Sequence, residues 1–380
     1  MFYPFNLSNM KVLEIIPNLA SGGAERFVVD LSNELIKIKD VQIFVLTFRT
    51  NQGCLNFYEK ELNEHISIIK FDGDWTAWSK IQQLYFVVRS IKKIKPDIIH
   101  CHTYAFLYTA FASLFFHHIK YFYTVHNLAE KDTRKGVGYY LRKFFLKRRI
   151  SSITISSKCE QSFLNYYKYP SFCMIENGCR RLFKSSKFDE TLLEINSYKI
   201  DANTIVFINV ARKAVQKNQQ LLIKSFVNFL KFHPNSVLLI MGHDGDNSLV
   251  VKKEVEKATN IIMLGEKDNV TDYLLCSDFF CLSSLWEGLP ISLIEAGMAG
   301  TYPVCTPAGG VIDVIKDKSW GILSEDFSCN SYIKALNDAI NITINRDYLK
   351  SLYDSKYSMK RCADNYYSIF KKAYDKKRKS

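Results

Sequence analysis

The chain has 380 residues, with 51 lysines and arginines against 38 aspartates and glutamates, a formal charge of +13. Hydrophobic residues make up 47%, aromatic 14% and charged 23%; these globular values exclude a largely disordered chain, and the length suits about two to three domains. Ten cysteines, none in a C-x-x-C pair, exclude a disulfide scaffold, so the charge is what asks for a partner: nucleic acid, an anionic membrane surface or a phosphorylated small molecule.

The N-terminal MFYPFNLSNMK lacks a basic segment followed by an apolar one, so no secretory signal is expected and the predicted setting is the reduced cytoplasm. A short apolar run at Lys11–Ile16 leads to Gly22-Gly23 and a helical stretch, Ala24–Ile38. Then come a strand at Val41–Phe48, a helix over Lys80–Ile94 and a strand at Asp97–Cys101. The most apolar stretch, Tyr104–Phe116, covers about half of the roughly 20 residues a bilayer span needs and is predicted to be a buried helix. A strand at Tyr121–Val125, a basic helical stretch ending at Arg149 and a strand at Ser152–Ser156 follow.

After a polar stretch, Lys184–Asn203, the pattern restarts. Thr204–Val210 reads as a strand and Asn218–Phe232 as a helix; Val237–Met241, Ile261–Leu264 and Phe279–Leu282 are further strands, Pro290 opens a helix, and Tyr302–Thr306 is a late strand. This alternation predicts an α/β chain of two doubly wound parallel-sheet domains, with a boundary near residues 180–200 and ligands beyond the carboxyl ends of the strands, in the cleft between the domains. Cys101, Cys276, Cys281 and Cys305 sit among apolar neighbours in the sequence and are expected in the cores.

Residues 1–180 carry 24 basic and 15 acidic side chains, and the last ten residues carry six and one. The excess is densest in Lys131–Arg149, where Arg142, Lys143, Lys147, Arg148 and Arg149 interleave with Tyr139, Tyr140, Leu141, Phe144, Phe145 and Leu146. Two readings stand: an interfacial membrane helix, or a domain helix with an apolar core face and a solvated basic face. No nucleic-acid-binding motif accompanies the charge, so nucleic acid is not expected as a partner.

The densest chemical signal is Ser283-Ser284-Leu285-Trp286-Glu287-Gly288-Leu289-Pro290-Ile291-Ser292-Leu293-Ile294-Glu295. A strand ends, a glycine allows close approach, and a helix N-terminus offers N–H groups and a positive dipole end to a phosphate. Carboxylates beside such a site suit sugar hydroxyls; the plainer alternative is that Glu287 caps the helix and Glu295 faces solvent. Arg212 and Lys217 flank the loop after Thr204–Val210, where two cations would neutralise a diphosphate. Gly22 and Gly23 occupy the matching point of the first domain, although the G-x-G-x-x-G fingerprint is absent.

With these motifs in place, the sequence resembles glycosyltransferase family 4, the retaining GT-B group that uses nucleotide-sugar donors. Asn18–Glu25 is similar to its opening glycine loop, Pro96–His102 and Thr124–Asn127 to its next landmarks, and Glu176-Asn177-Gly178 to its interdomain motif. Arg212 and Lys217 fall on its donor-phosphate pair, Glu287 and Glu295 on its paired glutamates, and Gly309-Gly310 and Gly321–Leu323 on its later turns. The resemblance implies two Rossmann-like domains facing across a cleft: residues 1–182 on the acceptor side, 183–355 for the nucleotide sugar, and 356–380 crossing back as a helix with a basic tail. It implies that Arg212 and Lys217 hold the diphosphate, Glu287 the sugar and Glu295 the ribose. Leu289, Pro290, Ile291 and Ser292 would cradle phosphate, Gly265 would lie by the base, Gly22 and Gly23 by sugar and phosphate, and His126 by the reacting carbon.

It further implies a UDP- or GDP-linked donor, a glycan or lipid-linked acceptor, and no cofactor. The acceptor side would take in the basic residues 142–149, peripheral on the inner face of the membrane. The sequence departs from the family at Cys179-Arg180, where a small residue and an aspartate are usual, and at Trp286, where tyrosine is more frequent. Asp72-Gly73-Asp74 and Asp244-Gly245-Asp246 look like D-x-D metal sites, but Asp-Gly pairs mark turns, and His100 and His102 have no cysteine or aspartate companion at ligand spacing, so no metal is expected. An epimerase or phosphorylase on the same fold, or a non-catalytic anion-binding protein, remains the alternative.

Overall fold

The computed structural model describes residues 9–48, 56–71, 79–242 and 259–379. Both Asp-Gly-Asp segments, 72–74 and 244–246, lie outside them. The chain divides into two compact units, Met1–Gly178 with Met359–Ser380, and Cys179–Ser358.

In chain order the first unit holds β1 (Met10–Ile15), α1 (Gly23–Leu35), β2 (Val41–Thr47), β3 (Ser67–Lys70), α2 (Ser79–Ile94) and β4 (Ile98–His102). It continues with α3 (Ala105–Ala112), β5 (Lys120–Val125), α4 (Ala129–Asp132), α5 (Val137–Arg148), β6 (Ile150–Thr154), α6 (Ser157–Tyr167) and β7 (Cys173–Met174). The second unit holds α7 (Phe188–Tyr198), β8 (Ile205–Val210), α8 (Gln219–Leu230), β9 (Ser236–Met241), β10 (Ile261–Gly265), α9 (Val270–Leu275) and β11 (Phe279–Leu282). Then come α10 (Ile291–Ala299), β12 (Tyr302–Cys305), α11 (Val311–Val314), β13 (Ile322–Leu323), α12 (Cys329–Ile340) and α13 (Arg346–Tyr357). The last helix, α14 (Met359–Lys379), belongs to the first unit.

The first sheet runs β3-β2-β1-β4-β5-β6-β7 and the second β10-β9-β8-β11-β12-β13, with parallel pairings throughout. Each is doubly wound, and its strand order reverses at one point, between β1 and β4 or between β8 and β11. That switch point is where loops diverge and leave a crevice at the carboxyl ends of the strands.

Strand alternation decides what each face of the first sheet carries. Leu13, Ile15, Ile99, Cys101, Tyr121, Tyr123 and Val125 point into one core with Val87, Phe106, Phe145 and Phe163 from α2, α3, α5 and α6. Each fully buried side chain of this kind contributes about 1.5–3 kcal/mol. Glu14, His100 and Thr124 alternate to the other face, where Phe27 of α1 and Tyr366 and Phe370 of α14 cover them.

Two expectations need correction, and one stretch holds an element the sequence did not signal. Cys101, Cys281 and Cys305 are buried, but Cys276 is only half-buried at the end of α9. The polar stretch 184–203 contains α7, whose Thr191 and Ile195 alone are fully buried; so narrow an apolar stripe leaves little periodic signal. The stretch Tyr104–Phe116 is not a buried helix. Ala105, Phe106, Thr109, Ala110 and Ala112 face the core, while Tyr104 and Phe115 are 75% and 71% exposed and Leu107, Phe111 and Leu114 also reach solvent. Among the described residues no helix is long and apolar enough to cross a membrane.

Candidate active site

In the first unit, strand register builds a polar chain at the carboxyl ends of β1, β4 and β5. Glu14 pairs with His100, and His102 with Thr124; His126 follows β5 directly. Glu14 Oε2 lies 2.9 Å from His100 Nδ1 and 2.8 Å from His102 Nε2. His102 Nδ1 is 2.9 Å from His126 Nε2, and His100 Nε2 is 2.8 Å from Thr124 Oγ1, which is 2.8 Å from the Tyr366 hydroxyl.

Burial pushes His100 and His102 down to about 3, so each is neutral with one N–H. His126 retains some exposure at the strand end, yet burial and the proximity of His100 push it down to about 3 as well. Burial pushes Glu14 up, against the hydrogen bond and charge attraction of His102.

The tautomers are assigned from this network. With Glu14 ionised it accepts from His100 Nδ1–H and His102 Nε2–H. His102 Nδ1 is then an acceptor, so His126 donates through Nε2–H and keeps a lone pair on Nδ1. His126 also packs edge-on to Phe27 at 5.5 Å between centroids. Glu14, His100 and His102 bring three ligand-type atoms within 4.8 Å of one another, but those atoms are satisfied by hydrogen bonds. The carboxylate companion missing from the local sequence comes from a neighbouring strand 86 residues away.

Beside this chain, Gly22 precedes α1, and Gly22 O accepts from Arg26 N–H. A methyl group at Gly23 would meet nothing within 4 Å. The protein's own packing therefore does not demand glycine there, and the backbone stands open to a ligand.

In the second unit, three loops meet at Glu287. After β8, Arg212 is exposed and has no protein partner among the described residues. The chain then makes a single turn over Val215–Lys217. Lys217 Nζ reaches Glu287 Oε1 at 2.6 Å, and Ser284 Oγ donates to the same oxygen at 2.6 Å. Two hydrogen bonds stitch the loops together: backbone Leu285 N–H to Gln216 O at 2.8 Å, and the Gln216 side-chain Nε2–H to Trp286 O at 2.8 Å. From after β12, Gly310 N–H donates to Glu287 O at 3.1 Å, and Gly309, with φ +55°, lies so close that a Cβ would stand 2.2 Å from that oxygen. The turn therefore requires glycine on two counts.

Glu287 is 5% exposed and does not cap the helix. Leu289 and Pro290 lead into α10, whose first N–H groups, at Ile291 and Ser292, have no acceptor within the helix. Glu295, about one turn further, is not on the open surface: Arg180 Nη1 lies 3.8 Å from its Oε1. The unusual Arg180 thus stands where it balances Glu295. Gly265 closes β10 and its carbonyl accepts from Gly242 N–H at 2.8 Å. Sequence reasoning passed over Glu14 and Gln216 and gave His102, Ser284 and Arg180 none of these contacts, since their roles depend on pairing across strands and loops.

The basic helix α5 divides differently from expectation. Arg142 is not a surface cation: it is 7% exposed, donates to the Tyr123 hydroxyl at 2.7 Å, pairs with Asp132, and lies 4.5 Å over the Phe106 ring. Its place on the helix, three before Phe145 and three after Tyr139, is the core-facing stripe. Lys143 is half-buried, and Lys147, Arg148 and Arg149 are exposed. Val137 and Tyr140, 78% and 71% exposed, form an outer apolar face with Leu141 and Phe144. Phe111 of α3 and the buried Phe145 of α5 are 6.3 Å apart between ring centroids, so the two helices pack side by side.

Two parallel α/β units, each with polar groups gathered at its switch point, define a GT-B type of transferase fold. A family model described as Glycosyltransferase Family 4 matches residues 21–180, and one described as Glycosyl transferases group 1 matches residues 192–352. The chain belongs to the family 4 type of glycosyltransferase. It is 31% identical over 156 residues to an uncharacterized glycosyltransferase of Methanocaldococcus jannaschii, a match covering 34% of this chain and 38% of that protein. It is 25% identical over 304 residues to the UDP-Gal:alpha-D-GlcNAc-diphosphoundecaprenol alpha-1,3-galactosyltransferase of Escherichia coli, covering 77% of this chain and 76% of that enzyme. The crystal structure of HepE from Anabaena in complex with UDP-glucose superposes with a TM-score of 0.81 at 16% identity, over 96% of this chain and 100% of that one.

Proposed function

We propose that the protein transfers a hexose, with retention, from a UDP- or GDP-linked donor to a glycan or lipid-linked acceptor in polysaccharide or glycolipid assembly. The observation that carries this is the convergence of Arg212, Lys217, Glu287 and the amino end of α10 on one switch point of the second unit. Arg212 and Lys217 hold the donor diphosphate and stabilise the charge that grows on the leaving group. With two cations in that role the reaction runs without a metal, and chelation by EDTA leaves turnover unchanged. The N–H groups of Leu289, Ile291 and Ser292 cradle phosphate, Glu295 takes the ribose hydroxyls and Glu287 the sugar hydroxyls. In the first unit His126 offers its Nδ1 lone pair to a donor-sugar hydroxyl, with the open backbone at Gly22-Gly23 beside it.

UDP stands first among the bases, because the E. coli relative is named for UDP-Gal and HepE was crystallised with UDP-glucose. The diphosphoundecaprenol in the relative's name favours a lipid-linked acceptor. The exposed apolar faces of α3 and α5, rimmed by Lys143, Lys147, Arg148 and Arg149, have the composition of a surface that rests on an anionic membrane.

Purified protein screened against a panel of UDP- and GDP-sugars tests the reading. Donor turnover is expected with at least one, and none with any of them overturns it. For the membrane, Tyr140→Ser with Lys147→Glu is expected to abolish cosedimentation with anionic liposomes; unchanged sedimentation rejects that part.

A further inference from the structure

The first unit carries a second concave surface at the opposite end of its sheet from His126 and Gly22. An open groove of about 820 Å3 is walled by the amino ends of β5 and β6, the loop entering β7, the end of α5 and one side of α14. Lys120, Lys147, Arg148, Arg149, Lys372 and Lys376 all line it, and no aspartate or glutamate does. The neighbouring acids are already engaged: Asp375 with Lys371 at 3.0 Å and Asp97 with Lys377 at 2.7 Å. Glu160 reaches the lining hydroxyl of Ser171, and Thr154 donates to it at 2.6 Å. Among the described residues none of the six cations has a carboxylate partner.

Six like charges around one hollow repel one another, by about 1 kcal/mol for each pair at 4 Å in water and more where the protein excludes solvent. An anion seated among them removes that cost. Ser151, Ser152 and Ser171 add hydroxyls to the lining, and Phe122, Tyr169 and Phe172 add apolar surface. The volume falls in the range of small-molecule sites, about 300–1,000 Å3, well beyond what inorganic phosphate fills.

We propose that this groove binds a phosphate ester, the phosphate among the six cations and its organic body against Tyr169 and Phe172. The phosphodiester headgroup of an anionic lipid and a soluble phosphorylated metabolite present the same chemistry. The site does not involve the donor cluster or the exposed apolar side chains of α3 and α5, but it shares Lys147, Arg148 and Arg149 with the basic rim of those faces. The variants that test it therefore lie on α14 and at Lys120.

The test uses the full-length chain carrying Arg212→Ala and Lys217→Ala, so that the proposed donor site contributes no phosphate binding. Glycerol phosphate is titrated calorimetrically, and phosphatidylglycerol vesicles are compared with phosphatidylcholine vesicles by cosedimentation. Saturable binding of at least one phosphate probe is expected, weakened roughly tenfold or more by Lys372→Gln with Lys376→Gln on α14. Both lysines are exposed, and glutamine preserves helix propensity. Lys120→Gln on the opposite wall is expected to weaken the same probe. Glycerol phosphate binding identifies a soluble ligand; binding of phosphatidylglycerol vesicles alone identifies a lipid headgroup. Binding of neither probe, or equal binding by both lysine variants, overturns the proposal.

Discussion

Glu14 and Glu287 are both buried carboxylates at the carboxyl ends of parallel strands, yet their partners differ in kind. Glu14 is held by neutral histidines on the neighbouring strand. Glu287 is held by the Lys217 ammonium and a serine hydroxyl from converging loops. A carboxylate fixed by neutral donors sets the direction in which protons are shared, and so the polarity of His126. A carboxylate fixed by a cation makes an ion pair that an incoming diphosphate reorganises, because Lys217 then serves both anions. The first arrangement is suited to orientation, the second to charge stabilisation.

The largest expected effect lies on the charged side. Lys217→Ala should lower nucleotide-sugar turnover by roughly 10²–10³, the scale for loss of one preorganised group facing developing charge. It also leaves Glu287 without its cation, at a cost of about 3 kcal/mol by analogy with broken buried pairs, so the melting temperature must be read alongside the rate. A folded Lys217→Ala protein with wild-type turnover would reduce the ion pair to a structural contact.

The neutral side breaks with acid. The three histidines titrate near 6.5 when unfolded and about 3 when folded. Between those values the unfolded chain holds more protons, so their contribution is full above about 6.5 and is lost as pH falls towards 3. Glu14, raised from about 4.5, works with the opposite sign and offsets part of the loss. At pH 5 unfolding of the first unit should take up roughly two to three protons through this network. A stability to denaturant that does not fall between pH 7 and pH 5 would mean that the histidines are charged in the fold.

A smaller effect is expected where the two sides can be separated cleanly. Nitrogen NMR of the wild type should find His100 as the Nδ1–H tautomer and His102 and His126 as Nε2–H. His102→Phe keeps a flat ring against Phe27 but removes the acceptor for His126. It should mix the His126 tautomers and lower turnover by about tenfold, the effect of losing about 1.4 kcal/mol in the transition state. A protonated Nδ1 on His126 in the wild type would contradict the assignment.

The charged cluster was the more legible in sequence, because its members sit in two short segments, Arg212–Lys217 and Ser283–Glu295. Glycines, a proline and paired glutamates at short spacing leave a local signature. The histidine chain was only half legible: His126 stood out by resemblance, but its dependence on Glu14 arises from β1 lying beside β4, which no spacing records. Arg142 misled for a related reason. A cation among aromatics reads as surface when its partner, Asp132, lies on another element and its other contact, Tyr123, lies under the helix. The alternating strands and the restart of the pattern were legible because burial on both faces of a parallel sheet imposes them throughout.

The smallest effect tests whether Glu14 alone sets the proton order. Tyr366 of α14 donates to Thr124, which donates to His100, so the C-terminal helix touches the network at its far end. Tyr366→Phe removes one hydroxyl and leaves the ring against Phe27 and His100. Thr124 still donates to His100 but loses its own donor, and the stability read by chemical denaturation should fall by about 1 kcal/mol. Because His102 and His126 are ordered through Glu14 and not through Thr124, the His126 tautomer and the rate should stay unchanged. If Tyr366→Phe disturbed His126 as His102→Phe does, the network would be one coupled unit reaching α14, and the C-terminal helix would share in setting the site.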